Sequence, residues 1–188
     1  MTKEELIDAA ENYFRTHLPS TREKNSYLVH VEGVQKYALH LADEYDADKT
    51  VVEVAALLHD VGADAGDVHS AKSAEIAAEF LKDLDIESDL EKRIISAIKN
   101  HSMRQTGESF SASVTLEDRV IRDADGISFI ENSYEMYFQK GLERHGLEIA
   151  REKSISKITG MMRKITTKKG TEIAEKLKNK AIEVIRNK

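Results

Sequence analysis

The chain has no cysteine and a single proline, Pro19, in 188 residues. Without cysteine there is no disulfide, no thiolate zinc site and no cysteine nucleophile. A reducing cytoplasm is the simplest compartment for such a protein. Any metal must be held by His, Asp, Glu or backbone oxygen. Those donors suit Mn, Fe, Zn, Ni, Co or Mg better than a soft ion such as Cu(I). One proline leaves helices free to run almost everywhere. No apolar stretch approaches the roughly 18 residues that span a bilayer. The acidic, amphipathic start, MTKEELIDAAENYF, does not read as a secretory signal.

What is present is 40% apolar and 33% charged residues, the balance of a soluble, helix-rich globular protein. The net charge of -6 hides an asymmetry. Residues 151–188 carry 12 Lys and Arg against 4 Asp and Glu, whereas the rest of the chain is strongly acidic. A basic C-terminal region can meet nucleic acid or an anionic partner. The plainer reading is a solvated helical face that complements the acidic body.

Hydrophobic spacing is helical throughout. Thr2 with Glu5, Ser20 with Glu23, Ser88 with Glu91 and Thr115 with Asp118 read as helix starts of the capping-box kind. Asp48 and Asp67 are further candidate caps. The spacing predicts helices to about His17, from about Ser20 to Tyr45, up to His59-Asp60, over about 68–84, and to about His101. A long helix follows from Thr115, then stretches over about 147–166 and 171–187. Residues 103–114 are the least regular segment. There is no strand-like alternation. The expectation is an all-α protein in which residues 1–188 form one helical domain. Residues 147–188 are a basic extension packed on it.

The most informative segment is VVEVAALLHDVG, residues 51–62. A strongly apolar helix ends in adjacent His59 and Asp60, and Gly62 stops it. Burying an imidazole beside a carboxylate is costly unless something compensates, and a metal ion does so. His30 in SYLVHVEGV and Asp125 in VIRDADGISFI also lie among apolar neighbours. Two imidazoles and two carboxylates can hold a divalent ion and leave positions open. His69 and His101, at helix boundaries, can hold a second ion with Asp60 as the bridge. Such paired ions suit displacement at phosphorus, because a shared water loses a proton near neutral pH and becomes the nucleophile.

His30, His59-Asp60 and Asp125 resemble the H…HD…D pattern of the HD-domain superfamily of metal-dependent phosphohydrolases. AALLHDVG and VIRDADGI are similar to that family's two acidic segments, and the resemblance covers about residues 25–135. It implies an HD-type helical bundle, one or two divalent metals, and hydrolysis of a nucleotide or another small phosphate ester by metal-bound hydroxide. His69 and His101 are similar to the extra histidines of its two-metal branches. Ala63 stands where the HDIGK type has lysine, and no GYP motif follows His101, which argues against a cyclic-dinucleotide phosphodiesterase. Gly126 stands where many members carry arginine.

Around this set, Asp64 and Asp67 are candidate general acids or bases beside Asp60. Lys72, Lys99 and Arg104 are candidate phosphate contacts. Asp123, roughly 200° from Asp125 around a helix, faces elsewhere or braces a ligand. His17, His40 and His145 lack supporting context. Two rival functions share the pattern. One is a dinuclear iron oxygenase. The other is a non-catalytic metal-containing module whose basic C-terminal region contacts nucleic acid or protein. No membrane partner is expected.

Overall fold

Apolar residues on every side force the helix Lys49–Leu58 to the centre of the molecule. Val51, Val52, Val54, Ala55, Ala56, Leu57 and Leu58 are all fully buried, and each large one contributes about 1.5–3 kcal/mol. The computed structural model describes residues 1–102 and 114–188. Over these residues the order is α1 (Lys3–Thr16), α2 (Lys24–Tyr45), α3 (Lys49–Leu58), a 3-10 turn (Ala63–Val68), α4 (His69–Lys82) and α5 (Ser88–Asn100). Then come α6 (Leu116–Ser128), a π-helical turn (Phe129–Ser133), α7 (Tyr134–His145), α8 (Leu147–Met162) and α9 (Lys168–Asn187). The fold is all-α. Helices α1, α2, α5 and α6 pack around α3. Ala150, Ile158, Ala174 and Ile185 of α8 and α9 join the same buried apolar cluster. No helix among the described residues is long and apolar enough to cross a membrane.

The capping boxes of Thr2 with Glu5 and Thr115 with Asp118 form as read, and Asp48 caps α3 through Thr50 and Val51 N–H. Two others do not form. Glu23 itself caps α2, accepting from Asn25 and Ser26 N–H, because Ser20 is engaged elsewhere, by Asp64. Helix α5 starts at Ser88 after Glu87, with no side-chain cap. Asp67 does not cap α4 either, whose preceding residue Val68 makes no side-chain cap bond. The expected unbroken helix after Thr115 widens at Phe129–Ser133 into the π turn. The C-terminal stretches end and begin at different points than expected. Thr167 caps α9 through Gly170 N–H, so the turn is residues 163–167.

Gly33 permits a close approach of α2 to the end of α6. A Cβ there would lie 2.4 Å from Ser128 Oγ and 2.5 Å from Asn132 Nδ2. Its absence lets α2 lie directly on the end of α6, and that contact sets the position of His30.

Candidate metal centre

Three histidines occupy the ends of helical segments and do the same thing there. His59 follows α3, His101 follows α5, and His69 follows the 3-10 turn. Each Nδ1 lies close to the carbonyl three residues back: Ala56 at 2.8 Å, Ile98 at 2.6 Å and Gly66 at 2.9 Å. A carbonyl only accepts, so each Nδ1 carries the proton and donates it. At His59 and His101 the bond lies at a helix end, where carbonyls lack intrahelical partners. At His69 it joins the backbone N–H that the Gly66 carbonyl already accepts. It also fixes the tautomer that leaves the Nε2 lone pair available, the usual arrangement behind a metal-binding imidazole.

His30 reaches the same result from the middle of a helix. Its Nδ1 lies 3.3 Å from both Ser128 Oγ and Ser133 Oγ, while Ser128 Oγ donates to the His30 carbonyl at 2.9 Å. Two serines five residues apart would lie about 140° apart on a regular α-helix. The π turn between them widens the helix and brings both hydroxyls to one imidazole. The sequence reading missed Ser128 and Ser133. Their signal was two hydroxyls interrupting the apolar stripe after Asp125.

These four imidazoles converge on two carboxylates. His30 Nε2 is 3.3 Å from Asp125 Oδ1. Asp60 Oδ1 lies 3.7 Å from His69 Nε2 and 3.9 Å from His101 Nε2, and Asp60 Oδ2 lies 4.0 Å from His59 Nε2. The rings of His30 and His59, His59 and His101, and His69 and His101 stand edge to face at 5.4, 5.0 and 5.2 Å between centroids. Two ligand sets result, His30, His59 and Asp60, and Asp60, His69 and His101. Asp60 belongs to both, with one oxygen turned to each.

The donors fit a divalent ion. His59 Nε2 is buried and has no hydrogen-bond partner among the described residues, although an orphaned buried nitrogen is costly. His101 Nε2 and His69 Nε2 face each other at 3.2 Å. With each Nδ1 donating to a carbonyl, the two Nε2 atoms turn toward each other, an arrangement that a bridging cation satisfies. Nitrogens about 2.1 Å from one ion are about 3.0–3.4 Å apart for right-angle to tetrahedral geometry, so the spacing suits shared coordination.

Electrostatics prepare these groups for a cation. Burial lowers the His59 imidazole, and burial with the neighbouring His59 lowers His101 to about 3, so neither competes for a proton near neutral pH. Burial alone would raise Asp60, but His59, His101, His30 and Arg22 outweigh it and hold the carboxyl at about 2. Asp125 is likewise pushed up by burial and pulled well below the usual range by Lys164 and His30.

Of the remaining expected residues, those that are described are not among the two ligand sets. Asp64 accepts from Ser20 N–H at 2.8 Å, Ser20 Oγ at 2.9 Å, Thr21 N–H at 2.8 Å and Thr21 Oγ1 at 2.5 Å. Those bonds occupy the carboxylate and tie the turn before α2 to the turn after Asp60. Asp67 is exposed. Lys72 packs its Cβ against Gly62, and its exposed ammonium pairs with Glu75 at 2.8 Å. Lys99 is exposed on α5. Arg104 and the segment around it lie outside the described residues. Asp123 is buried and accepts from the backbone N–H of Thr166 and Thr167 at 2.9 and 2.8 Å. His17 stacks on Tyr13, and His40 and His145 are exposed.

Two cations that the sequence reading missed touch the cluster. Arg22 Nη2 is 3.4 Å from Asp60 Oδ2, and Lys164 Nζ is hydrogen-bonded to Asp125 Oδ2. Lys164 lies far from any histidine in sequence, Arg22 lies in the turn before His30's helix, and the tertiary fold brings both to the carboxylates.

Residues 27–130 match the family model of the HD domain. That is more than half of the chain, and the protein belongs to the HD domain family. Its structure is similar to that of an HD-superfamily hydrolase from Bacillus thuringiensis, with a TM-score of 0.76 at 20% identity, covering 99% of this chain and 96% of that one. It is also similar to Bacillus subtilis YpgQ, with a TM-score of 0.75 at 22% identity, covering 100% and 95%. YpgQ in complex with ADP matches with a TM-score of 0.73 at 21% identity, over 100% and 95%. At these identities the likeness is one of fold.

Proposed function

We propose that this protein is a metal-dependent phosphohydrolase acting on a nucleotide or another small phosphate ester. The observation that carries the reading is the position of Asp60, shared by two histidine-containing ligand sets. His30, His59, Asp60 and Asp125 would hold one ion. Asp60, His69 and His101 would hold the other. Ions in such a pair lower the pKa of a water and neutralise charge on phosphate oxygens. The protein's own contribution is to fix the donors. Helix ends hold three imidazoles, Ser128 and Ser133 hold the fourth, and Asp60 spans both halves. The fold likeness to an HD-superfamily hydrolase supports hydrolysis, and the ADP bound to YpgQ supports a nucleotide ligand. The lack of cysteine fits a cytoplasmic setting.

A screen of nucleotides and phosphate esters with added Mn²⁺, Co²⁺, Ni²⁺, Zn²⁺ or Mg²⁺ tests the reading. Phosphate release that chelation abolishes and oxygen does not affect supports it. Oxygen consumption without phosphate release would replace it with the oxygenase reading. Polyanion retention that survives His59→Ala, without any turnover, would favour a binding module.

A further inference from the structure

We propose that Arg22 and Lys164 are the phosphate-binding cations of this site, an inference that rests on the phosphohydrolase reading. Each Asp has one oxygen in contact with a cation: Asp125 Oδ2 with Lys164, and Asp60 Oδ2, which also faces His59, with Arg22. Asp125 turns Oδ1 to His30 and Oδ2 to Lys164. Asp60 turns Oδ2 to Arg22, while its Oδ1 faces His69 and His101. The two cations therefore touch the metal ligands at different points, one on each carboxylate. Among the described residues, neither has another ion-pair partner.

Such placement makes poor sense for metal binding alone. A fixed positive charge beside a ligand carboxylate competes with the ion for that oxygen and repels the ion itself. It makes good sense for an anion that must lie against the metal. A phosphoryl group brings oxygens for the ion and for charge-assisted bonds to the guanidinium and the ammonium. Lys164 has three donors, of which the Asp125 contact uses one, and its side chain is only 14% exposed. An ammonium this enclosed is fitted to an anion that enters the site.

The fold holds both cations in place through its own devices. Asp64 grips Ser20 and Thr21, the two residues before Arg22, by four hydrogen bonds. Asp123 grips the backbone of Thr166 and Thr167, just after Lys164. Gly126, beside Asp125, gives the Lys164 segment room. A Cβ there would lie 3.1 Å from Ile165 Cγ1 and 3.4 Å from the Met161 carbonyl. Arg22 and Lys164 both fall outside the stretch matched to the HD domain. The shared domain supplies the metal donors, and the flanking segments of this chain supply the anion contacts. Asp64 and Asp123 are positioning residues in this scheme.

The test titrates inorganic phosphate into the Mn²⁺-loaded protein by calorimetry, with Mn²⁺ affinity measured separately. The variants are Arg22→Ala, Lys164→Met and Lys164→Arg. The proposal expects each of the first two to weaken phosphate binding by about tenfold or more while Mn²⁺ binds as tightly as before or tighter. Lys164→Arg retains phosphate binding. If a turnover assay is in hand, KM rises more than kcat falls. Phosphate affinity unchanged in both neutral variants overturns the proposal, as does loss of Mn²⁺ binding together with loss of phosphate, which marks the cations as structural. A wild type that binds no phosphate also overturns it. Turnover with unaffected variants leaves the phosphohydrolase reading standing and removes only this one. Phosphate binding through these residues without turnover does the reverse.

Discussion

His69 Nε2 and His101 Nε2 lie 3.2 Å apart, each with its Nδ1 committed to a carbonyl oxygen. A divalent ion held by both nitrogens relieves such a contact between facing lone pairs. The Asp60, His69 and His101 set therefore makes a specific claim. In His101→Gln the chain should bind one divalent ion fewer than wild type, counted by metal analysis after gel filtration, with the His30, His59 and Asp60 half still loaded. Equal metal content in the two proteins would refute the second half of the site.

Metal should also stabilise the folded protein, since the unfolded chain does not assemble these donors. At an ion concentration about 100 times the Kd, the gain is about 2.7 kcal/mol. Thermal melts with Mn²⁺ and with chelator would show the difference, and His59→Ala should abolish most of it. Superimposable melts would mean that the donors do not act together.

Gly33→Ala probes the contact that seats His30. The new Cβ would fall 2.4 Å from Ser128 Oγ and 2.5 Å from Asn132 Nδ2, so both side chains must be displaced. Such overpacking costs about 1–3 kcal/mol, readable as a lower urea midpoint. Because Ser128 also orients His30, metal affinity should fall with stability. A drop in stability alone would show that the serine contacts do not matter to the ion.

Asp64 gives a pH-dependent outcome. Hydrogen bonds from Thr21 and Ser20 hold its carboxyl far below the usual aspartate range in the fold. A group with a depressed folded pKa stabilises above its unfolded pKa and loses that contribution as pH falls through the folded one. Asp64→Asn should thus cost stability at neutral pH, and its deficit should narrow below about pH 4. A deficit that stays constant through that range would place the effect in packing rather than charge.

Much of this was legible in the chain because it is local. The apolar run ending at His59-Asp60 announces a buried helix that delivers two donors. The caps at Thr2, Asp48 and Thr115 follow from residues three positions apart or fewer. What escaped is tertiary. Ser20 reads as a cap but bonds to Asp64, 44 residues away. The π turn that lets Ser133 join Ser128 on His30 leaves no periodic mark. Lys72 and Lys99 sit near histidines in sequence, and both are exposed, with Lys72 paired to Glu75. Lys164 carries no local signal at all. It is one lysine in a basic tail, and it acquires meaning only where Gly126 and Asp123 draw its segment onto α6.

The account stands most directly on calorimetric titration of Mn²⁺ into wild type and Asp60→Asn, two proteins of nearly equal shape. Asp60 is the one residue shared by both ligand sets, so its loss should weaken both. The expected result is saturable binding of more than one ion in wild type and affinity lowered by at least about tenfold in a folded variant. Identical isotherms from the two proteins would contradict it.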